Sequence, residues 1–190
     1  MTLQLVKPAP AFLAEYRAAL EAGWSPDNVR GTEAAREELA KIAADPAAFV
    51  AALDDPQAKG EPITLPDGSR VPRLPGFRRW LWDGAFCGSI GFRWRPGTTA
   101  LPDHCLGHIG YAVVPWKRRR GYATRGLALL LDEIRREVRD PGLTYVEITA
   151  KPGNAASLAV IRANEGRLIE QFLEPVIYGA QPALRFHIDL

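Results

Sequence analysis

The sequence predicts a mixed α/β (α+β) fold in which helices pack on a mostly antiparallel sheet. Apolar residues recur at helical spacing near the N-terminus and again after the midpoint. Between these stretches, β-branched and aromatic runs alternate with glycine and proline turns. The resulting order is helices, an antiparallel meander, and then strand, helix, strand, helix and two strands, which is typical of a layered protein of both element types.

The N-terminal part is predicted to be helical after a short strand over 2–6. Phe12, Tyr16 and Leu20 repeat at the spacing of one helix face. Between 54 and 76, five prolines and three glycines interrupt any regular pattern. We expect this stretch to be a long ordered loop or a lid.

From residue 77 onward, the pattern changes to strands and amphipathic helices. Asp83-Gly84 is a hairpin signal between the first two strands, and Pro141-Gly142 ends the longest apolar stripe. Strands are predicted at 77–83, 86–94, 107–114, 144–150, 167–174 and 184–190, and helices at 123–138 and 155–164.

Composition excludes several classes of protein. With 190 residues, 47% of them hydrophobic and 24% charged, the chain has the make-up of one globular domain and not of a disordered or fibrous protein. No apolar run approaches the ~18 residues of a membrane span, and the first residues lack a signal-peptide pattern, so a cytoplasmic location is expected. Cys87 and Cys105 lack metal-ligand spacing, so no metal is expected. The net charge of +2 does not indicate a nucleic-acid partner.

The segment from 111 to 124 carries the strongest chemical signal. A strand ends at Val114, a short basic turn follows, and a helix begins near Gly121. Because a helix start presents unpaired N–H groups and the positive end of the helix dipole, it is a ready anion site. The basic residues around it are Lys117, Arg118, Arg119, Arg120 and Arg125. Together these features predict a phosphate or pyrophosphate ligand.

Two other interpretations of the basic run stay open at this point. It can be ordinary solvated surface, which is the usual role of such runs. It can also be a nucleic-acid patch, although the interleaved aromatic residues and strongly basic composition typical of such patches are missing. The other common phosphate-binding motifs, the P-loop and the dinucleotide-binding glycine motif, are absent from the sequence.

The spacing of this segment resembles the GNAT superfamily of acyl-CoA-dependent N-acyltransferases, and in particular a bacterial group within it. Arg118, Gly121 and Ala123 stand at the three specified places of the family's strand–turn–helix motif. Asn154 and Ser157 stand where a second family segment begins a helix. The resemblance covers roughly residues 80 to 190, and it implies a central twisted sheet with one splayed pair of strands.

The resemblance also implies a site for acetyl-CoA. The backbone amides from Arg119 to Thr124 would hold the pyrophosphate, with the basic side chains near the adenosine phosphates. Main-chain groups of the preceding strand would pair with the pantetheine arm, and Asn154 would bond the arm from the other side unless it only caps its helix. The positions assigned to the coenzyme are Tyr111, Ala112, Val113, Arg118, Arg119, Arg120, Gly121, Tyr122, Ala123, Thr124, Asn154 and Ser157.

Acetylation of an amine by a thioester requires three things of the protein. The acceptor must lose a proton, because an alkylammonium with a pKa near ~10 is not a nucleophile. A backbone N–H, here that of Val113, must stabilise the oxyanion. The leaving thiolate benefits from a proton, which a tyrosine supplies in many family members; Ile161 stands at that position here.

Candidates for the proton transfers are therefore sought elsewhere. Glu147 and His108 are the candidate bases, with Asp103 and His104 nearby in the sequence. Tyr111 is the candidate acid at the site, although the other tyrosines, at 122, 145 and 178, stay open. Each of these residues also has an ordinary structural interpretation.

These observations predict one acetyltransferase domain over 1–190, in which 1–76 forms the acceptor side and 77–190 binds the coenzyme. The expected reaction is direct acetyl transfer from acetyl-CoA to a primary amine of a small molecule or peptide. Two alternatives are a non-catalytic module that senses acyl-CoA and a nucleic-acid-associated protein that uses the arginine cluster. The exposed closing strand also suggests a homodimer.

Overall fold

Residues 2–190 are described in the computed structural model of the chain, and strands and helices follow one another in the expected order. The strands are β1 Gln4–Val6, β2 Asp54–Asp55, β3 Ile63–Thr64, β4 Arg70–Val71, β5 Gly76–Trp82, β6 Phe86–Arg93, β7 Ile109–Val113, β8 Tyr145–Ala150, β9 Arg167–Leu173 and β10 Pro182–Asp189. The α-helices are α1 Pro10–Glu21, α2 Thr32–Ala44, α3 Pro46–Ala52, α4 Tyr122–Glu137 and α5 Ala155–Ala163, with short 3₁₀ turns at Pro115–Lys117 and Val176–Tyr178. The predicted mixed α/β fold is therefore confirmed.

The strands form two larger antiparallel sheets, and β3 pairs with β4 in a separate two-stranded sheet. The first has the order β1-β5-β6-β7, and β2 also pairs with β5. The second has the order β8-β10-β9. The hairpin between β5 and β6 turns at Asp83-Gly84, as the sequence predicts, with Gly84 at a φ of 105°. The two sheets meet along β7 and β8.

Strands β7 and β8 touch at one end and then separate. Gly107 forms an isolated bridge with Ile148, and the His108 N–H donates to the Glu147 carbonyl at 2.7 Å. Gly107 has a φ of 87°, and a Cβ there would lie 2.9 Å from the Glu147 oxygen, so glycine is required by both conformation and space. Beyond this point, within residues 2–190, β7 forms a ladder with β6 alone. A gap therefore opens between the sheets.

Two apolar cores hold the layers together. In the first, α4 buries one stripe of residues against the sheets, and α5 packs beside it. In the second, α1 to α3 cover the opposite face of the first sheet with an aromatic cluster that includes Tyr16, Trp24 and Trp80. Each fully buried side chain of this size contributes about 1.5–3 kcal/mol. The gap between β7 and β8 thus lies next to both packed layers.

The structure differs from the sequence prediction between residues 54 and 76. This stretch contains β2, β3 and β4 instead of only loop, and β3 and β4 form a hairpin around Asp67-Gly68. Two-residue strands are too short to show the alternation by which a strand is predicted. Among the residues described, no helix is both long and apolar enough to cross a lipid bilayer.

Candidate active site

The turn between β7 and α4 is shaped to receive an anion. We call residues 118–124 the anion turn. Arg119 and Gly121 adopt left-handed conformations, with φ of 61° and 75°. No side chain caps α4, and its first backbone bond runs from the Arg125 N–H to the Gly121 carbonyl at 2.9 Å. The N–H groups of the first helical turn are therefore left for a ligand.

The basic side chains around the anion turn are not equivalent. The Lys117 ammonium lies 2.5 Å from a carboxylate oxygen of Asp83, and the Tyr122 hydroxyl donates to the other oxygen at 2.5 Å. Burial opposes the charge on Asp83, but these two contacts outweigh it and hold the pKa of the carboxyl well below its usual range. Arg119 and Arg120 are exposed and so are available to a phosphate. Lys117 is committed to Asp83.

Strand β7 presents an open edge to the gap. The His108 carbonyl and the Val114 N–H bond to β6, so the alternation of an antiparallel ladder points the main-chain groups of Tyr111 and Val113 the other way. The N–H of Val113 thus faces the gap. Ala112 departs from the prediction, because its own main-chain groups belong to the ladder with β6.

Two outward carbonyls of this edge, those of Val113 and Tyr111, already have donors. The Val113 carbonyl accepts from Arg118 Nε at 3.2 Å, and the Tyr111 carbonyl accepts from Asn28 Nδ2 at 3.0 Å. Asn28 lies in the segment between α1 and α2, 83 residues away in sequence. In this state the free main-chain groups that the edge presents to the gap are N–H donors. Such donors suit a ligand with carbonyl groups.

The start of α5 borders the gap from the opposite side. Asn154 caps the helix, because its Oδ1 accepts from the Ser157 N–H at 3.1 Å. The Tyr111 and Ser157 hydroxyl oxygens lie 2.7 Å apart. Burial raises the pKa of Tyr111 although the Ser157 contact acts in the other direction, so the phenol stays protonated at neutral pH. Ile161 is fully buried and supplies no acid.

The geometry of His108 argues against its use as a base. Its imidazole is 1% exposed, and Nδ1 accepts the Glu147 N–H at 2.9 Å. Nε2 is buried without a partner among the described residues. Burial, helped by the charges of Arg93 and His187, lowers the pKa of His108 to about 4. The neutral ring stands where a ladder bond between β7 and β8 would be, a position that favours a structural role.

Glu147 lies at the contact between the two sheets and lines a cavity of about 320 Å³. Arg185 Nε lies 3.0 Å from the carboxylate, at ion-pair distance but without hydrogen-bond alignment. His187 Nε2 lies 3.8 Å from the same carboxylate oxygen. Burial lowers the pKa of His187 despite its carboxylate neighbour, so this imidazole is neutral at pH 7. Asp103 also lines the cavity, whereas the His104 carbonyl accepts from Tyr178.

Comparison with known proteins decides the family. A family model described as the acetyltransferase (GNAT) domain matches residues 29–166. The chain belongs to the GNAT acetyltransferases. The match spans more than half of the sequence and confirms both the family resemblance and the expected class of enzyme. No curated protein matches the sequence.

Solved structures share the GNAT fold at low sequence identity. A Salmonella typhimurium acetyltransferase that modifies the N-terminal serine of 50S ribosomal subunit protein L7/L12 is 13% identical, with 100% of this chain and 96% of that chain covered and a TM-score of 0.61. Mycobacterium smegmatis RimJ in complex with a CoA-disulfide is 18% identical, with 98% and 81% covered and a TM-score of 0.58. The microcin C7 self-immunity acetyltransferase MccE in complex with acetyl-CoA and AMP is 10% identical, with 99% and 92% covered and a TM-score of 0.59.

Sequence reasoning about this GNAT protein missed four contributors to the site. Asp83 and Asn28 reach the anion turn and the open edge from distant segments. Arg185 and His187 approach Glu147 from β10. The alternation of Arg185 and His187 along a predicted strand was the one signal that they share a face. Within residues 2–190, no cluster of three or more His, Cys, Asp or Glu side chains is placed to hold a metal ion.

Proposed function

We propose that this protein transfers an acetyl group from acetyl-CoA to a primary amine of a small molecule or peptide. The observation that carries the proposal is that two binding surfaces are adjacent in the chain. The open edge of β7 is followed, after one short 3₁₀ turn, by the anion turn, whose backbone amides have no side-chain cap. An extended arm with amide groups suits the first part, and a pyrophosphate suits the second. In this proposal 1–190 acts as one domain, 77–190 binds the coenzyme and 1–76 supplies the acceptor side.

Each part of the coenzyme has a matching surface in this arrangement. The amides from Arg119 to Thr124 hold the pyrophosphate, and the exposed arginines of the anion turn lie near the remaining phosphates. The pantetheine arm lies along Tyr111 and Val113, between β7 and the start of α5. Asn154, which caps α5, borders the arm from the other side.

The proposed reaction is direct attack of the amine on the thioester within a ternary complex. Cys87 is fully buried, and burial together with Asp83 raises the pKa of its thiol to about 11. Burial also raises the pKa of Cys105. Because a thiol must ionise to act as a nucleophile, these cysteines do not favour an acyl-enzyme route.

Three groups share the chemistry. Glu147 takes a proton from the acceptor ammonium, directly or through a water molecule, and leaves the amine free to attack the thioester carbon. The Val113 N–H bonds the oxygen on which negative charge develops. As the carbon–sulfur bond breaks, the Tyr111–Ser157 hydroxyl pair delivers a proton to the departing thiolate. The attacking nitrogen gives its excess proton to solvent, and solvent reprotonates the phenol. The products are the amide and the CoA thiol, and Glu147 releases its proton before the next turnover.

The test combines coenzyme binding with turnover. Acetyl-CoA is titrated by calorimetry, and release of CoA is then measured with a panel of amines. Glu147→Gln is expected to lower kcat/KM at neutral pH by ~10²-fold or more while leaving the coenzyme Kd unchanged. Absence of acetyl-CoA binding to the wild type contradicts the proposal. Binding without CoA release for any amine favours a sensing module instead.

A further inference from the structure

We propose that Asp83 is a positioning residue that holds the anion turn in the shape that binds the coenzyme. The inference rests on the proposed function, because it takes the ligand of the turn to be the coenzyme pyrophosphate. Asp83 lies in the hairpin between β5 and β6, outside every segment that the sequence singles out for coenzyme binding. Its carboxylate bonds the side chains of Lys117 and Tyr122, and in this proposal it does not contact the ligand.

The contacts of Asp83 enclose the first four residues of the anion turn, 118–121. Lys117 is the last residue of the 3₁₀ turn before it, and Tyr122 is the first residue of α4. The two oxygens of one carboxylate bond these two side chains, each at 2.5 Å. Residues 118 to 121 are therefore closed into a loop by a single side chain. The Asp83 and Lys117 side chains are only 13% and 15% exposed, so water screens their attraction weakly.

The turn contains strained backbone, and its other side-chain contacts lie at its two ends, from Arg118 to the Val113 carbonyl and from Asn164 to the Thr124 carbonyl. Arg119 is a non-glycine residue in the left-handed region, which L-residues adopt at a cost in free energy. Gly121 is also left-handed, and a Cβ there would meet nothing within 4 Å among residues 2–190. A strained backbone persists where its surroundings over-determine it. Asp83 supplies that constraint at both ends.

Asp83 is itself held firmly by its hairpin. Its N–H donates to the Ala85 carbonyl at 3.2 Å, and the Ala85 N–H donates to Oδ1 at 3.3 Å. Gly84 adopts a φ of 105° between them. The carboxylate is thus held by the turn that joins β5 and β6 in the first sheet. The hairpin aligns the amides of the turn in advance of binding, which reduces the ordering that binding requires.

The test compares Asp83→Asn with the matched control Asp67→Asn. Asp67 is the corresponding aspartate of the β3–β4 hairpin, and within residues 2–190 its side chain bonds Ser69 alone. Loss of a charged hydrogen-bond acceptor predicts a rise of roughly 10- to 100-fold in the KM for acetyl-CoA in Asp83→Asn. The kcat at saturation is expected to stay within about twofold, because Asp83 touches no reacting atom. Asp67→Asn is expected to behave as the wild type.

A second acyl donor separates positioning from general damage to the fold. Acetyl-pantetheine lacks the pyrophosphate, so its kcat/KM is expected to be equal in Asp83→Asn and the wild type. If Asp83→Asn fails to fold, as judged by circular dichroism, Tyr122→Phe removes one of the two ties and is expected to raise the KM for acetyl-CoA several-fold.

Two results overturn the inference. One is a wild-type KM for acetyl-CoA in folded Asp83→Asn or, where that variant does not fold, in Tyr122→Phe. The other is an equal loss for acetyl-CoA and acetyl-pantetheine. Failure of the proposed function has a different signature, because the wild type itself then binds no acetyl-CoA.

Discussion

Gly121 is the left-handed residue of the turn to which we assign the coenzyme pyrophosphate. The backbone has a φ of 75°, and a Cβ would meet no atom of residues 2–190 within 4 Å. Asparagine tolerates this conformation, whereas valine does not. Both Gly121→Asn and Gly121→Val are expected to lower acetyl-CoA affinity by roughly tenfold or more, about 1.4 kcal/mol, because their side chains stand where the amides face the pyrophosphate. Calorimetric titration of both variants measures the loss.

Arg118→Ala provides the comparison for these variants. The Arg118 guanidinium bonds the Val113 carbonyl, and backbone amides rather than this side chain line the anion turn. Its loss is therefore expected to weaken coenzyme binding less than either change at Gly121. Wild-type affinity in a folded Gly121→Asn protein would show that the turn does not hold the pyrophosphate. A nucleic-acid role of the arginine cluster predicts the reverse order.

Tyr111 is the residue to test for delivery of a proton to the leaving thiolate. Its raised pKa keeps the phenol protonated at neutral pH, and its oxygen lies 2.7 Å from that of Ser157. Tyr111→Phe is expected to lower kcat by roughly 10²-fold, the usual size of a general-acid contribution, with little change in coenzyme Kd.

Ser157→Ala serves as the partner variant. If the two hydroxyls act as one relay, the double variant is expected to be no slower than Tyr111→Phe alone, because residues that act as a unit are not additive. Steady-state kinetics with one amine acceptor is sufficient for all three proteins. An unchanged kcat in Tyr111→Phe would mean that the thiolate leaves without this acid.

At the scale of the elements, the open edge of β7 is shared between the coenzyme side and the α1–α2 segment. Asn28 donates to the Tyr111 carbonyl, which an arm pairing as an extra strand must also reach. Breaking one hydrogen bond opposes binding by about 0.5–1.5 kcal/mol. Asn28→Ala is therefore expected to raise acetyl-CoA affinity about 2- to 10-fold.

The exposed neighbour Val29 offers the control, because Val29→Ala changes the same segment without touching the edge. Titration with acetyl-CoA measures the affinity of both variants, and only Asn28→Ala is expected to bind more tightly than the wild type. Unchanged or weaker affinity in Asn28→Ala would indicate that the amide stays on Tyr111 when the coenzyme binds.

The sequence correctly predicts those elements that are formed by interactions between residues close together in the chain. The stripe of α4 and the Asp83-Gly84 hairpin depend on neighbours a few residues apart, and both are present. The predicted strand at 107–114 is shorter in the structure, because Gly107 turns the backbone to a φ of 87° before Ile109. The β3–β4 hairpin escapes prediction because its strands have only two residues each.

The candidate site also has one part that local sequence predicts and another that depends on distant segments. The amides of the anion turn arise from local sequence, since Gly121 supplies the left-handed residue before α4. The partners of the turn do not, because Asp83 lies 34 residues from Lys117 and 39 from Tyr122. In the sequence, Lys117 is one of the basic residues near Gly121 and is predicted to lie around the phosphate site. In the structure its ammonium bonds Asp83 instead, and this contact depends on the packing of distant segments.

At the scale of the whole molecule, His108 lies where the two sheets meet. Its Nδ1 accepts the Glu147 N–H, so the imidazole replaces one bond of the ladder that the separating strands lack. Protonation would convert this acceptor into a donor and place a charge in a site that is 1% exposed. The contact between the sheets therefore depends on the neutral ring, which predicts an effect of pH on the stability of the entire fold.

The direction of this effect follows from linkage. The pKa of His108 is about 4 in the folded protein and about 6.5 in an unfolded chain, so between these values the unfolded state binds a proton that the folded state does not. The contribution of His108 is fully present above pH 6.5 and is lost as the pH falls towards 4, by about 3 kcal/mol in the free energy of unfolding. Urea denaturation across this range measures it. His108→Gln removes the titrating group, so its curve is expected to be lower at pH 7 but flatter below 6.5. Parallel curves for the two proteins would show that His108 is not held neutral at the junction of the sheets.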